Sequence, residues 1–391
     1  MNNMQVLWLA SWYPDAYEPK NGDFIQRNAH AVAEIIPLVV IHVVQAGSHL
    51  KTKAKLEITK MKGIEEWIVY FNYTTTPIIP LNTILYQYAY RSCYKAILRK
   101  YAAAFGYPHV VHVHAPIRAG LIARSWCKKK SIPYIVSEHA SMYADTATDH
   151  FQNRPFWFKR AVKLVLQDAA LVANVSQTIA TRLKALFQLK QVMVIPNLVN
   201  TKKFYYQARV HSDAFTFLHV SSFLPQKNIP GLLSAFQQLM QYHSNWKLIM
   251  LGPLTTEIQR LIAEKKLSEY VFCTGEVEHE AVAGFMQHAE ALVLFSWQEN
   301  APCVIAEALC CGLPVITSNA GGAAEPVHAG NGIVVPPGDE QALTNACIKM
   351  MEQYHYYNRT EIAETAAKKF TASVIARQMV DIYAPFSPEK G

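Results

Sequence analysis

Long apolar runs, patterned cysteines and internal repeats are all missing from this sequence of 391 residues. No apolar run reaches the roughly eighteen residues that a spanning helix needs, so we expect none. The N-terminal segment lacks the basic stretch and cleavage site of a signal peptide, and we predict a buried strand there. The seven cysteines form no C-x-x-C or Cys/His ligand set, which favours reduced thiols in a cytoplasm.

Acidic residues are scarce in the first half of the chain. Residues 1–200 carry 23 basic and 11 acidic side chains, a net charge of +12, whereas residues 201–391 carry 14 and 18, a net charge of −4. A basic first half favours an anionic partner there: an anionic membrane surface, a lipid-pyrophosphate acceptor or nucleic acid. No zinc-finger, RNA-binding or helix-turn-helix signature occurs, so we predict no nucleic acid partner.

What the sequence does contain is a regular alternation of short β-branched runs with helical patterns. It predicts an α/β protein with two Rossmann-like, doubly wound domains facing a cleft, where the carboxyl ends of the strands bind ligands. We place the first domain at 1–198, the second at 199–368 and a final helical segment at 369–391. The predicted strands are 6–9, 38–44, 110–114, 134–137, 171–176, 193–196, 215–220, 247–251, 271–274, 292–295, 315–317 and 333–335.

Residues 295–327 form the most informative stretch of the chain. An apolar strand ends in a polar turn holding Glu299, a helix opens with Pro302, and Glu307 follows on or near the same helix. Free N–H groups at a helix start bind phosphates well, and carboxylates bind sugar hydroxyls. This pattern predicts a nucleotide-sugar site. The alternative is an ordinary amphipathic helix with two solvated glutamates.

The residues that follow favour the first interpretation. Gly312, Pro314 and Val315 form a turn and strand, and a G-G-x-x-E loop comes next, with its residues at Gly321, Gly322 and Glu325. Together with the E-x7-E spacing, this order resembles the retaining family 4 glycosyltransferases of GT-B fold. The resemblance covers nearly the whole chain, weakly in the first half and well in the second.

This resemblance implies that a nucleoside-diphosphate sugar binds the second domain and an acceptor binds the first. It implies that Glu307 holds the ribose hydroxyls, and that Glu299, with the backbone near Asn300, Ala301 and Pro302, holds the sugar. It also implies front-face transfer assisted by the leaving phosphate, and a last helix that crosses back to the first domain. We expect no cofactor and no metal, since no D-x-D-like site occurs.

A second segment, residues 220–228, resembles the family's V-G-R-L-x-P-x-K-N pattern. Lys227 matches the lysine that stabilises the donor diphosphate, but Ser222 replaces the arginine. Either Ser222 and the helix starts suffice, or another cation such as Arg118 enters the cleft. The alternative for Lys227 is an exposed lysine at a helix start.

The first domain offers weaker candidates. Gly22 would contact donor or acceptor where the family often has two glycines, the first being replaced here by Asn21, although a simple turn glycine fits nearly as well. His139 follows a strand and resembles the histidine beside the transferring sugar; the alternative is a packed histidine. His114 and Arg118 are further candidates for acceptor contact.

The segment from residue 86 to residue 101 mixes tyrosines with basic residues. Such a stripe fits either a bilayer interface or a long core helix with a solvated edge, and we favour the second.

We therefore predict a retaining glycosyltransferase that moves a hexose to a glycan or lipid-linked acceptor, in capsule, lipopolysaccharide or other bacterial surface-polysaccharide synthesis. Its expected location is the cytoplasm, with a peripheral position on the inner face of the cell membrane as an option. The alternatives are a nucleotide-sugar epimerase of the same fold or a non-catalytic protein that binds sugar or lipid head groups. A phosphorylase would need a pyridoxal-phosphate lysine motif, which is missing.

Overall fold

Two separate β-sheets, each covered by helices on both faces, organise the computed structural model, which describes residues 4–47, 50, 52–144, 149–208 and 213–387. Each sheet lies between two apolar clusters, so each domain has its own core. The predicted fold class of two Rossmann-like α/β domains is confirmed.

The first domain contains an eight-stranded sheet in the order β3-β4-β2-β1-β5-β6-β7-β8, parallel except for β3. Helices α2 to α5 pack on one face, and α1 packs on the other. The elements are β1 (Val6–Ala10), α1 (Asp23–Ala33), β2 (Leu38–Gln45), β3 (Ala54–Met61), β4 (Ile64–Phe71), α2 (Ile79–Phe105), β5 (Val110–His114), α3 (Ala119–Lys130), β6 (Tyr134–Glu138), α4 (Phe156–Gln167), β7 (Leu171–Asn174), α5 (Gln177–Phe187) and β8 (Val192–Val194).

The antiparallel hairpin of β3 and β4 was missed by the sequence prediction. β3 lies at the edge of the sheet and is largely exposed, with Lys55, Glu57 and Lys60 along it, and its apolar alternation is limited to Ala54, Leu56 and Ile58. Charged side chains on an edge strand discourage pairing with another chain. The twelve predicted strands all exist, with ends within two residues of those observed.

The second domain contains a six-stranded parallel sheet in the order β11-β10-β9-β12-β13-β14. Helices α6, α7 and α10 cover one face, and α8, α9 and α11 cover the other. The elements are β9 (Phe215–Val220), α6 (Ile229–Leu239), β10 (Trp246–Leu251), α7 (Thr256–Glu264), β11 (Val271–Gly275), α8 (His279–His288), β12 (Ala291–Leu294), α9 (Cys303–Cys310), β13 (Val315–Ser318), β14 (Gly332–Val335), α10 (Glu340–Gln353) and α11 (Arg359–Phe370).

The chain passes between the domains twice, and the two passages lie side by side. Val199 and Thr371 form a parallel bridge, and the Val199 N–H donates to the Phe370 carbonyl at 2.7 Å. After Thr371 the chain forms α12 (Ala372–Asp381), which packs against α1 in the core of the first domain. The last helix therefore completes the domain that the first residues begin.

A buried polar chain ties this end of the protein to the first sheet. The Trp8 indole N–H donates to the Tyr383 hydroxyl at 3.0 Å, and that hydroxyl lies 2.6 Å from Nδ1 of His112. Nε2 of His112 lies 2.7 Å from the Ser137 hydroxyl. Among the described contacts His112 Nδ1 is the acceptor within reach of the Tyr383 hydroxyl proton, and with this assignment the His112 Nε2–H donates to Ser137.

No helix in the described part of the chain has both the length and the apolar character needed to cross a bilayer. All seven cysteines are free thiols.

We expect Tyr383→Phe to destabilise the first domain, because it leaves the Trp8 N–H and the His112 Nδ1 buried and unpaired. The loss should be about 1–3 kcal/mol, measured as a lower urea midpoint by Trp fluorescence. Tyr356→Phe is the control, since Tyr356 is 75% exposed. Equal midpoints for Tyr383→Phe and the wild type would contradict the network's role.

Candidate active site

The site is built on the loop that joins β12 to α9 in the second domain. Glu299 lies in this loop and not on the helix, which begins at Cys303 with Pro302 as its N-cap. This agrees with the predicted polar turn at Glu299, and Glu307 lies on the helix, which begins one residue after the predicted Pro302. The residue before a proline avoids the helical region, so the chain stays extended through Ala301 and Pro302.

Lys227 and Glu299 form a direct ion pair. The Lys227 ammonium lies 2.5 Å from Oε1 of Glu299, and the Ser296 hydroxyl donates to the same oxygen at 2.7 Å. The Trp297 N–H donates to the Gln226 carbonyl at 2.8 Å, which fixes the two loops to each other. The chain thus brings together two residues that the sequence analysis placed in one site. Ser222, which precedes Lys227 in the same strand-to-helix segment, is exposed.

Glu307 is almost fully buried at the interface between the domains. Its Oε1 lies 2.8 Å from Nε2 of His279 and 3.4 Å from the guanidinium of Arg27, which comes from α1 of the first domain. Burial, reinforced by Glu307, raises the pKa of the Cys303 thiol to about 12, so this thiol stays protonated. Sequence reasoning missed both Arg27 and His279, because no motif marks either residue.

The two histidines at the carboxyl edge of the first sheet contact each other. Nδ1 of His114 lies 3.2 Å from Nε2 of His139, and the rings are nearly coplanar. Burial lowers the pKa of His139 to about 4 and that of His114 well below 6.5, so both rings are neutral at physiological pH. His139 also meets the ring of Phe24 at a centroid distance of 5.0 Å. His114 is fully buried behind this contact, so its acceptor role stays a prediction.

Side chains from the loop after β12 also bind the first domain directly. Gln298 donates to the carbonyl of Ser141 at 3.1 Å and to its hydroxyl at 2.7 Å. Asn300 donates to the His139 carbonyl at 3.0 Å and accepts from the Ser176 hydroxyl at 2.6 Å. The Asn300 amide therefore bridges the domains, and only its backbone is left for the donor role predicted from sequence.

Glu325 closes the same interface by capping a helix of the other domain. Its two carboxylate oxygens accept the backbone N–H groups of Gln177 and Thr178, at 2.8 Å and 2.7 Å, at the start of α5. These N–H groups have no partner within the helix, and the dipole favours an anion there. The sequence marked Glu325 as part of a motif but gave no sign of this partner.

The remaining candidates lie around the cleft without forming one cluster. Gly22 is the N-cap of α1 with φ +68°, and a Cβ there would lie 2.7 Å from the Trp12 backbone, so the turn itself requires glycine. Asn21 donates to the Glu18 carboxylate at 2.8 Å. Arg118 is exposed at the start of α3. Burial raises the pKa of Tyr86, and the positive charge of Arg118 offsets part of that rise. A ligand role for these residues stays a prediction.

Within the described residues, no group of three or more His, Cys, Asp or Glu side chains is arranged to hold a metal ion. The charged groups of the site are instead paired across short distances, Lys227 with Glu299 and Arg27 with Glu307.

Two family models match the chain. Residues 202–369 match Glycosyl transferases group 1, and residues 42–203 match Glycosyltransferase Family 4. The matches divide the chain close to the first passage between the domains. The chain therefore belongs to the family 4 glycosyltransferases of GT-B fold, and its activity is glycosyl transfer.

Similar proteins of known or assigned activity support this membership. TuaC of Bacillus subtilis, a putative teichuronic acid biosynthesis glycosyltransferase, is 22% identical over 96% of this chain and 97% of its own length. The alpha-monoglucosyldiacylglycerol synthase of Acholeplasma laidlawii is 26% identical over 53% of this chain and 58% of its own length. Relatives of this chain thus act in bacterial polysaccharide and glycolipid synthesis.

Solved structures show the same fold. Sucrose-phosphate synthase from Thermosynechococcus elongatus superposes with a TM-score of 0.77 at 21% identity, covering 97% of this chain and 98% of that chain. The HepE protein of Anabaena, in complex with UDP, gives a TM-score of 0.71 at 17% identity, covering 98% and 100%. At these identities the likeness shows the fold alone.

We expect Glu325→Ala to loosen the closed arrangement of the domains, because two N–H groups at the start of α5 lose their acceptor. Amide hydrogen exchange at Gln177 and Thr178 should accelerate by about fivefold or more, the equivalent of a helix cap worth ~1 kcal/mol. X-ray scattering should report a larger radius of gyration. Glu352→Ala, an exposed glutamate on α10, is the matched control. Unchanged protection at both amides would show that the cap is not formed in solution.

Proposed function

We propose that this protein is a retaining hexosyltransferase that uses a nucleoside-diphosphate sugar and a glycan or lipid-linked acceptor. The observation that carries the proposal is the ion pair of Lys227 and Glu299 beside the start of α9. It sets a cation for a leaving diphosphate next to a carboxylate for sugar hydroxyls. The N–H groups at the helix start add a further site for phosphate.

Lys227 performs the main electrostatic role in this proposal. When the bond between sugar and diphosphate breaks, negative charge grows on the leaving phosphate, and a fixed cation there stabilises the transition state. The donor phosphate would share the ammonium with Glu299, which stays anchored through the Ser296 hydroxyl. Because this cation and the helix start meet the phosphate charge, the proposal requires no metal and no other cofactor.

The two glutamates are assigned to binding and not to nucleophilic attack. Glu307 is held by His279 and Arg27 and would bind the ribose hydroxyls, whereas Glu299 would bind the sugar. With both carboxylates engaged, we propose that the acceptor attacks from the face that the diphosphate leaves, so that the anomeric configuration is retained. The departing phosphate oxygen would take the acceptor proton.

His139 is assigned to the sugar end of the cleft. The neutral ring has one nitrogen occupied by His114, and its Nδ1 is buried with no hydrogen-bond partner among the described residues. An unpaired buried polar atom is costly, so a sugar hydroxyl that pairs with it would gain affinity. His114 would then fix the ring orientation and which nitrogen carries the proton.

The relatives support the substrate class and the cellular role. HepE of Anabaena is described in complex with UDP-glucose, which supports a nucleotide-sugar donor here. TuaC supports a role in bacterial surface polysaccharide synthesis. We therefore propose a cytoplasmic location, peripheral to the inner face of the cell membrane, with capsule, lipopolysaccharide or another surface glycan as the product.

One observation favours a second candidate. Ser222 is exposed and replaces the family's arginine, which removes one cation from the diphosphate site. A protein that binds sugars or lipid head groups without turnover would tolerate this loss better than an enzyme would. Stabilisation by a nucleotide sugar, without release of free nucleotide in the presence of acceptors, would favour this candidate.

We expect Glu307→Gln to weaken donor binding at least about tenfold, because a hydrogen bond to a charged group is worth roughly 1.5–3 kcal/mol. A thermal-shift panel of UDP-, GDP- and ADP-sugars on the wild type identifies the base, since saturating ligand raises the melting temperature. Calorimetry with the best donor then compares the wild type, Glu307→Gln and the control Glu352→Gln. Equal affinities for Glu307→Gln and the wild type would overturn the ribose assignment.

A further inference from the structure

Two helices of the first domain begin with exposed apolar side chains. At the start of α2, Ile79 is 78% exposed and Ile84 and Tyr88 are similarly open. At the start of α4, Phe156 is 75% and Trp157 is 68% exposed. Large exposed apolar side chains on two helices of one helical layer require an explanation, because single exposed apolar residues are common but clusters mark interaction surfaces. α3 lies between the two helices, since α4 packs on α3 whereas α2 packs on β4 and β2.

Both helices carry only positive charge. α2 contains Arg91, Lys95, Arg99 and Lys100 in 27 residues, α4 contains Lys159, Arg160 and Lys163 in 12 residues, and neither contains an Asp or Glu. Arg91, Lys95 and Arg99 are exposed and form no ion pair with a described carboxylate. Seven of the basic side chains behind the net charge of +12 in the first half therefore lie on α2 and α4.

The topology places both apolar starts at one edge of the domain. Each helix runs back from the carboxyl edge of the parallel strands to their amino edge, since α2 ends just before β5 and α4 ends just before β7. Both helices pack on the same face of the sheet. Their first residues therefore lie at the edge that holds His114 and His139.

The length of α2 explains why its first turns project. A helix of 27 residues extends about 40 Å, whereas the eight-residue strand β4 extends about 26 Å. The sheet covers only the later turns, where Tyr90, Tyr94 and Tyr101 are buried. The earlier turns pass beyond the sheet, so their apolar side chains have no core to enter.

A groove of about 950 Å³ runs beside this helix, between α2 and the β3–β4 hairpin. Apolar side chains such as Leu85 and Ala89 line it, and its three charged lining residues, Lys53, Lys55 and Lys100, are all basic. An apolar channel with a cationic rim matches an acyl chain with an anionic head group.

We propose that the starts of α2 and α4 form a docking surface for an anionic lipid bilayer. Ile79, Ile84, Phe156 and Trp157 enter the acyl region of a bilayer that is inclined to the helix axes, and the nearest exposed basic residues, Arg91, Lys95 and Arg160, meet the lipid phosphates.

The charge of the surface favours a bilayer over a protein partner, because seven cations on the two helices face few described acids, and two of these, Asp149 and Glu57, are paired with Arg154 and Lys55. This inference rests on the membrane location proposed above and names the residues that would form the contact. Vesicle binding can be measured whether or not the enzyme is active.

The surface also defines how an acceptor would be presented. Because the apolar starts lie at the same edge as His139, docking turns the cleft edge of the first domain toward the lipid head groups. A lipid-linked acceptor could then enter without leaving the membrane.

The full-length protein is tested by flotation with vesicles rich in phosphatidylglycerol and with vesicles of phosphatidylcholine alone. We expect binding to the anionic vesicles, weaker binding at high salt and little binding to the neutral ones. Arg91→Glu/Lys95→Glu should reduce partitioning by about 25-fold or more, since each cation contributes about fivefold. Phe156→Ser/Trp157→Ser should reduce it by at least about tenfold, because two large apolar side chains no longer enter the acyl region. Tyr242→Ser/Tyr356→Ser and Lys349→Glu, all exposed in the second domain, are the matched controls and should bind as the wild type does.

The proposal is overturned if the wild type does not float with anionic vesicles, if neutral vesicles bind equally well, or if the control variants lose as much binding as the test variants. Circular dichroism confirms that each variant is folded, and the salt and lipid dependence of the wild type tests the proposal without any variant. Donor affinity, measured by calorimetry in the absence of vesicles, should not change in the test variants. If the wild type binds no nucleotide-sugar donor, the proposed function is contradicted. The vesicle experiment still decides the docking proposal in that case.

Discussion

The close approach of two backbone segments, Gly321–Gly322 and Glu299–Asn300, is the constraint on which the site depends. A Cβ at Gly321 would overlap the Glu299 carbonyl, and one at Gly322 would overlap both the Asn300 carbonyl and the Ser176 side chain. Only glycine allows this contact, and the positive φ of Gly321 adds a second reason for it. The contact holds the Glu299 loop in place and brings it against the first domain.

The second domain could be predicted well from its sequence because its site is local. The E-x7-E spacing, the turn at Gly312 and the glycine pair are close in the chain, and each of the three glycines has a backbone reason for its residue. Lys227 is distant in sequence but belongs to a recognisable strand-to-helix segment, so its meeting with Glu299 followed from the order of the strands.

Contacts between the domains could not be predicted in this way. Arg27 and His279 reach Glu307, and Glu325 reaches the start of α5, only because two separate sheets take up one relative orientation. No pattern within either domain encodes that orientation. The β3–β4 hairpin was missed for a simpler reason, since the exposed edge strand carries only a short apolar alternation among charged residues and buries little.

The path of the chain has a consequence for synthesis of the protein. The second domain is one continuous segment and can complete its core as soon as α11 leaves the ribosome. The first domain lacks its α12 until about 185 more residues have followed residue 198, a delay of roughly ten to forty seconds at typical translation rates. Until then Trp8 and the apolar face of α1 lack their contacts with α12. The N-terminal half of the nascent chain therefore exposes apolar core surface for longer than the second domain does.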